Sequence, residues 1–356
     1  MTEEAPPSAV IARATVRAYT IQGIVKYHGL QDPDLRLPIH ANLAVCMSGL
    51  HATTTVEVRT DISNDEVYVN NAPLTGSDLE RALRVIRAVE FVKNQGFTTA
   101  NEFNDHLRSL GKSAIRSIME GMREPNAPRI RAISRNSTAG KGLGFSAAGF
   151  AALAFAVGKA LGIENTEPLI VAARLGAGSA AKSAVGGFSV LWEDGRAEQI
   201  AAPDDLPLVS FVIPIVPHRR FKTEEAHQEA VASPFYSARV ERVKQLLEDA
   251  TTAIKEKNLH RLCEIAEIDS LLLHSATMAG PKGMVVWEPD TVRLMHIVRT
   301  LRTEREIPCW FSIDTGPSVF VNTDTDSADR VYSLLRRAGY SPIRCRPAGP
   351  PHPLEA

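Results

Sequence analysis

Neither sign of charge dominates this chain. Its 40 lysines and arginines stand against 41 aspartates and glutamates, a formal net charge of −1. That balance excludes a general nucleic-acid binder, which gains affinity by neutralising phosphates over a basic face. Any anion site must therefore be local. Cysteine is scarce: Cys46, Cys263, Cys309 and Cys345 are widely scattered, with no Cys-x-x-Cys pair. Such spacing points to the reduced thiols of a cytoplasmic protein and away from a disulfide framework or a zinc site. No apolar run approaches the ~18–20 residues that cross a bilayer, so no membrane partner is expected. Met1 to Pro7 is acidic and proline-containing, unlike a basic and apolar signal segment. Internal repeats and low-complexity arrays are lacking too.

Hydrophobic residues make up 44% of the 356 positions, enough for a sizeable core and for two domains of ordinary size. Ile11 to Ile24 alternates as a strand does, and Val25 to Asp32 leaves it for a loop. Leu43 to Ser48, Thr53 to Thr60 and Glu66 to Val69 read as strands, with Asn70-Asn71 as a turn signal. Helical periodicity runs from Gly76 to Asn94 and from Thr98 to Leu110. Ile130 to Ser134 reads as a short strand and Asn165 to Leu175 as a helix. The composition shifts at about Glu198 to Leu206, where Ala-Ala-Pro-Asp-Asp-Leu-Pro reads as a linker. It suggests domains over 1–200 and 201–346, with Pro347 to Ala356, like residues 1–9, a disordered proline-rich tail. Leu208 to Val216 reads as a strand. Ala238 to Lys257, Leu259 to Ser275, Asp290 to Glu304 and Ser327 to Ala338 read as helices. Cys309 to Ile313 and Ser318 to Asn322 look like paired strands around Asp314-Thr315-Gly316-Pro317. Strands and helices are grouped rather than alternating, which gives an α+β protein of two domains.

One stretch organises the chain, Ala139 to Phe150, reading Ala-Gly-Lys-Gly-Leu-Gly-Phe-Ser-Ala-Ala-Gly-Phe. Gly142 and Gly144 permit a tight turn and close approach of a ligand. From Ser146 onward the pattern is helical and apolar on nearly all sides, as in a buried helix. A glycine loop feeding such a helix presents N–H groups and the positive dipole end to an anion. A phosphate cradle and an Ala/Gly-rich core helix with a flexible lead-in both fit. It is neither the loop that ends in Gly-Lys-Ser/Thr nor the Gly-x-Gly-x-x-Gly dinucleotide pattern. Three further segments carry chemistry-bearing residues. Lys26 follows a strand, where a lysine is ordinarily a solvated charge. Gly178 to Ser183 sets Ser179, Lys182 and Ser183 near a helix start, as ligand donors or as helix caps. Asp314 precedes a glycine turn, a position that often only forms the turn.

Together these segments resemble the mevalonate diphosphate decarboxylase branch of the GHMP kinase superfamily. Gly142-Leu143-Gly144-Phe145-Ser146-Ala147-Ala148 is similar to its Gly-Leu-Gly-Ser-Ser-Ala-Ala loop. Val25-Lys26-Tyr27-His28-Gly29 matches Val/Ile-Lys-Tyr-Trp-Gly. Gly176 to Ser183 with Gly186-Gly187-Phe188 matches Gly-Ser-Gly-Ser-Ala-Cys-Arg-Ser with Gly-Gly-Phe. Asp314-Thr315-Gly316-Pro317-Ser318 matches Asp-x-Gly-Pro-Asn, and Ser233-Pro234-Phe235 and Asp269-Ser270 also agree. The resemblance runs in order over about residues 11–345. Ile21-Gln22-Gly23-Ile24-Val25-Lys26-Tyr27-His28-Gly29 is most similar to the archaeal-type phosphomevalonate decarboxylases.

The resemblance implies a two-domain GHMP kinase fold: an N-terminal domain like the second domain of a small-subunit ribosomal protein, and a C-terminal ferredoxin-like α/β sandwich. It implies ATP-dependent decarboxylation of mevalonate 5-phosphate to isopentenyl phosphate in a homodimeric, cytoplasmic enzyme. The alternatives are a diphosphomevalonate decarboxylase, a mevalonate 3-kinase-like enzyme that stops at phosphoryl transfer, and a non-catalytic sensor. ATP would lie on Gly142, Leu143, Gly144, Ser146 and Ala147, with Mg²⁺ at Ser146. Asp314 and Lys26 would be catalytic, and Tyr27, His28, Ser179, Lys182 and Ser183 would hold substrate. Three departures stand out: Phe145 for a serine, Lys182 for an arginine, and Leu30 where the diphosphate enzymes carry a second lysine. Losing that cation suits a monophosphate. So do the carboxylates of Thr223-Glu224-Glu225-Ala226, loosely aligned with a family Ser-Arg pair.

Overall fold

A computed structural model describes residues 9–120, 127–139, 142–219 and 221–355. Gly140 and Lys141, in the glycine stretch, and the first eight residues lie outside the described residues. The N-terminal half contains β1 (Val10–Val25), β2 (Leu30–Asp32), β3 (Leu37–Pro38), β4 (Asn42–Arg59), β5 (Glu66–Val69) and β6 (Ala72–Pro73). Helices α1 (Gly76–Gln95), α2 (Ala100–Leu110) and α3 (Ala114–Glu120) follow, then β7 (Arg129–Asn136). Next come α4 (Phe145–Ala160), α5 (Glu167–Gly176), α6 (Ala180–Val185), β8 (Phe188–Leu191) and β9 (Ala197–Ala201). The C-terminal half holds β10 (Leu208–Ile213), α7 (Thr223–Val231), α8 (Tyr236–Lys255), α9 (Leu259–Met278) and α10 (Pro289–Glu304). It ends with β11 (Cys309–Ser312), β12 (Val319–Asp324), α11 (Ala328–Arg337), β13 (Ile343–Cys345) and β14 (His352–Pro353).

The first sheet runs β14-β1-β4-β7-β5-β6, with β8 pairing the other end of β4 and β9 beyond it. Its spine is β1 against β4, antiparallel over nearly their whole length. The two strands expected at Leu43 to Ser48 and Thr53 to Thr60 are one, because a register shift at Tyr19/Thr20 absorbs the break. Gly49 sits at that break, where a Cβ would lie 2.5 Å from Cys345 Sγ. The second sheet runs β11-β12-β10-β13, all antiparallel. In chain order that is 4-1-3-2 read from the far edge, the split βαβ arrangement of ferredoxin-like folds.

Burial explains the layering. Helix α4 is apolar all round, and Ala148, Ala151, Leu153 and Val157 lie in the first core with Val85, Val89 and Leu175. A second core joins the halves: Ile24, Val25, Leu43, Leu143 and Phe188 pack with Leu208, Leu262 and Phe320. Each such side chain contributes roughly 1.5–3 kcal/mol when buried. The end of β1 is thereby anchored where the two sheets meet. No helix among the described residues is long and apolar enough to cross a membrane.

Three local expectations need correction. Leu30 to Asp32 is a short strand paired with β3 rather than loop. The linker reading fails at its start, since Ala197–Ala201 pairs with β8. The tail is ordered over residues 347–355: β14 adds to the free edge of β1, Ala348 N–H donates to Cys46 O at 3.0 Å, and Gly187 N–H donates to Ala348 O at 2.8 Å. Proline suits this edge, because an edge strand leaves every second N–H without a ladder partner.

Candidate active site

Strand β1 delivers Lys26 into the junction of the two sheets. Its ammonium, 6% exposed, donates to Ala266 O at 3.2 Å and lies 3.7 Å from Asp269 Oδ2. The Lys26 N–H donates to the same carboxylate oxygen at 2.8 Å. Arg239 Nη2 sits 3.1 Å from Asp269 Oδ1 and donates to Lys26 O at 2.8 Å. One buried aspartate thus holds the lysine by both backbone and side chain. Burial lowers the Lys26 pKa from its ordinary value, and Asp269 and then Asp314 oppose that shift.

Asp314 occupies the turn between β11 and β12. Both its oxygens accept from Gly23 N–H, at 3.1 and 3.3 Å. Ser312 Oγ donates to Gly23 O at 3.2 Å, so both polar groups of that glycine are held by the second half of the chain. His274 Nε2 lies 2.9 Å from Asp314 O. A Cβ at Gly23 would come 2.5 Å from Lys26 Cγ and 3.0 Å from Asp314 Oδ1. Only a hydrogen fits where the lysine and the aspartate converge. Burial lifts the Asp314 carboxyl to about 6, against the pull of Lys26 and the Gly23 N–H.

Lys182 approaches from α6, 2% exposed, and donates to Asn42 Oδ1. Its ammonium lies 5.6 Å from the centre of the Tyr27 ring. Burial pulls its pKa down to about 7, while the nearby charge of Asp314 opposes the shift. The Tyr27 hydroxyl accepts from Ser179 N–H, and burial raises it to about 12, so it stays a neutral phenol.

The glycine loop lies against the same turn. Gly142 and Gly144 have φ of 73° and 72°, the left-handed region. A Cβ at Gly142 would fall 2.6 Å from Gly316 Cα, and one at Gly144 2.7 Å from Ile21 O. Glycine is required at both places by conformation and by space. The loop is wedged between β1 and the Asp314–Gly316 turn, and the N-terminus of α4 opens there. No side chain caps α4, and Ser146 is exposed in its first turn. Leu143 and Ala147 are buried, Ala147 N–H bonding Gly144 O at 3.0 Å. The dipole end is thus presented at the junction without a resident carboxylate.

The structure brings Lys26, Asp314, Lys182, Tyr27 and the glycine loop together. Two expected ligands are placed otherwise. His28 is 1% exposed, with Nε2 3.3 Å from Thr315 Oγ1 and Nδ1 3.4 Å from Thr277 Oγ1. Burial pushes its pKa well below 6.5, so it brings no charge to a phosphate; it ties β1 to α9 and to the aspartate turn. Ser183 donates to Tyr19 O at 2.6 Å, which uses the proton a substrate carboxylate would need. Ser179 is half-buried, and its side chain makes no cap bond.

Sequence reasoning assigned no role to Asp269, Arg239, Asn42 or Gly23. A signal for Asp269 existed, since it falls in the apolar stripe of α9 with Leu262, Ala266 and Leu273. A charge at a core position needs a buried partner. A cavity of about 1150 Å³, lined by Phe155, Lys159, Trp192 and Pro350 among others, contains none of these residues.

Fold and site define a two-domain protein with the GHMP kinase fold, in which a carboxylate and two lysines converge near the glycine loop. The family model of the diphosphomevalonate decarboxylase-like N-terminal domain matches residues 18–202. That of the mevalonate 5-diphosphate decarboxylase C-terminal domain matches residues 218–343. A phosphomevalonate decarboxylase of Haloferax volcanii is 35% identical over 336 residues, 92% of this chain and 93% of its own. The human diphosphomevalonate decarboxylase is 25% identical over 344 residues, 92% of this chain and 80% of its own. A solved mevalonate diphosphate decarboxylase from Enterococcus faecalis superposes with a TM-score of 0.78 at 24% identity, over 97% of this chain and 99% of that one. The chain belongs to the diphosphomevalonate decarboxylase family.

Proposed function

We propose that this protein is a carboxy-lyase that decarboxylates mevalonate 5-phosphate to isopentenyl phosphate, with ATP converted to ADP and phosphate. The observation that carries this reading is the half-buried Asp314, whose raised carboxyl meets the charges of Lys26 and Lys182 beside the glycine loop. The residues fit a nucleotide. Two left-handed glycines lead into an uncapped helix whose first turn exposes a hydroxyl. ATP would rest on Gly142, Leu143, Gly144, Ser146 and Ala147. No group of three or more His, Cys, Asp or Glu among the described residues is arranged to hold a metal ion. Mg²⁺ would accordingly arrive with the phosphates and meet Ser146. Bound there, ATP with Mg²⁺ supplies the phosphoryl group that makes the substrate C3 oxygen a leaving group.

The chain's own groups do the rest. Asp314, with its pKa raised toward neutrality, is suited to take the C3 hydroxyl proton, because a base works best when its pKa lies near the operating pH. Lys26 faces the same oxygen and offsets the charge that builds on it. Lys182 holds the C1 carboxylate, whose electrons form the new double bond as CO₂ leaves. A lysine keeps the charge of the family's arginine without its two-pronged grip. Tyr27 lies toward the 5-phosphate end. The monophosphate is supported by the 35% identity to a phosphomevalonate decarboxylase and by Leu30. A homodimer in the cytoplasm is the matching expectation.

The test offers purified protein, ATP and Mg²⁺ with mevalonate, its 5-phosphate and its 5-diphosphate in parallel, reading CO₂ beside ADP. Equal CO₂ and ADP from the 5-phosphate is expected. ADP without CO₂ would make the protein a 3-kinase. Equal or better use of the diphosphate would make it an ordinary diphosphomevalonate decarboxylase.

A further inference from the structure

Beyond Tyr27 the junction carries charges that the mechanism does not use. Arg36 stands at the end of the β2–β3 turn with φ 56°, a left-handed conformation unfavourable for a residue with a side chain. Gly178 is wedged against this spot, since a Cβ there would lie 2.6 Å from Tyr27 Oη and 3.1 Å from Arg36 O. The Arg36 guanidinium is mostly buried, and its Nε has no hydrogen-bond partner. Its Nη1 lies 3.7 Å from Glu224 Oε1, too long for a hydrogen bond. Arg81 reaches the same oxygen from α1, with Nη1 at 3.1 Å, while its Nη2 holds Asp78 at 2.7 Å.

Glu224 opens α7, the helix that also closes over Tyr27. His227, one turn on, accepts from Gly29 N–H at 3.0 Å and packs its ring 5.5 Å from that of Tyr27. The ionisations of Tyr27 and Arg36 both respond to Glu224, so these groups share one space. Neighbour by neighbour these groups connect Asp314 to Lys182, Lys182 to Tyr27, Tyr27 to Arg36 and Arg36 to Glu224. A ligand with its carboxylate at Lys182 and its body along Tyr27 would end at the arginine pair. Arg36 and Arg81 stand against Glu224 and Asp78, so the two acids already offset both cations and leave no surplus positive charge for a second phosphoryl group.

The geometry points to Arg36 and Arg81 as the cations that receive the 5-phosphate, and to Glu224 as the residue that sets their charge count for a monophosphate and against a diphosphate. This rests on the decarboxylase reading above and adds specificity residues to it. A monophosphate can take up the unbonded guanidinium donors of Arg36 while Glu224 keeps Arg81. A second phosphoryl group would bring another negative charge against the Glu224 carboxylate. Guanidinium forks suit either anion, so the discrimination falls to the acid.

The test measures kcat/KM for mevalonate 5-phosphate and 5-diphosphate in wild type, Glu224→Gln and Arg36→Gln. Glu224→Gln keeps shape and removes one charge. It should shift the ratio about tenfold toward the diphosphate, the size of one charge-assisted contact. Arg36→Gln should raise KM for the 5-phosphate at least tenfold while KM for ATP stays within about twofold. A ratio unmoved in Glu224→Gln, or an unchanged KM for the 5-phosphate in Arg36→Gln, overturns the inference while the decarboxylase reading stands. If wild type consumes neither compound, or takes the diphosphate at least as well, the reading beneath it has failed and both fall.

Discussion

Burial brings Lys182 to a pKa of about 7, which makes its charge the sensitive point of the site. If the ammonium holds the substrate carboxylate, binding needs it protonated. In the free protein the protonated fraction falls from about three quarters at pH 6.5 to about one thirtieth at pH 8.5, simple titration about that value. Wild-type kcat/KM should therefore drop roughly 25-fold over that span, because kcat/KM reports the free enzyme. A bound carboxylate favours the charged form, so the fall in kcat should come at higher pH. Lys182→Arg removes the titration, since a guanidinium stays charged throughout. Its alkaline limb should be flat, and wild type and variant should diverge about 25-fold between pH 6.5 and 8.5. The acid limb is less informative, because a phosphate monoester also titrates near pH 6. The assay is steady-state ADP release between pH 5.5 and 9 in buffers of constant ionic strength. A wild-type profile flat above pH 6.5, or the same alkaline fall in the arginine variant, refutes the assignment of Lys182 to the carboxylate.

Asp314→Asn should lower kcat by ~10³ or more with ATP binding retained, since a positioned base contributes about 10²–10⁴-fold. The fold raises this carboxyl from 3.8 to about 6, so its stabilising contribution is full below pH 3.8 and is lost as pH rises through 6. At pH 8 the amide should therefore leave Tm unchanged or raised. More than a tenth of wild-type turnover would make Asp314 a turn former only. Gly23→Ala places a methyl 2.5 Å from Lys26 Cγ, and misplacing the pair by about 1 Å should cost on the order of 10²-fold in kcat. Retention of half the activity would show that Lys26 and Asp314 need no such closeness. Deleting Pro347 to Ala356 removes β14 and the bonds of Ala348 to Cys46 and Gly187. At roughly 0.5–1.5 kcal/mol each, those two bonds amount to about 1–3 kcal/mol, and over 356 residues a fall in Tm of about 1–4 °C is the expected outcome of a thermal melt. An unchanged Tm would restore the disordered tail.

Local pattern sufficed wherever one segment meets its own requirements. The alternation of β1, the all-apolar face of α4 and the paired strands around Asp314 each need only neighbours in sequence to be recognised. So does the turn at Asn70-Asn71, both left-handed as that hairpin demands. Glycines 142 and 144, Lys26 and Asp314 were legible because motifs of fixed spacing carry them, yet their meeting was not. It took the shared core of the two halves to bring Gly23 against Asp314, 291 positions apart in the chain. Only tertiary packing showed His28 to be neutral and Ser183 engaged, since partner and dielectric depend on α9 and β1 together. The pairing of Asp269 with Lys26 and Arg239, and of Glu224 with Arg36 and Arg81, likewise joins residues from separate elements. The sequence determined which groups with chemistry were present and which local shapes would carry them. The tertiary structure decided their pKa values, partners and distances, because burial and long-range contact are properties of the packed chain and not of any one segment.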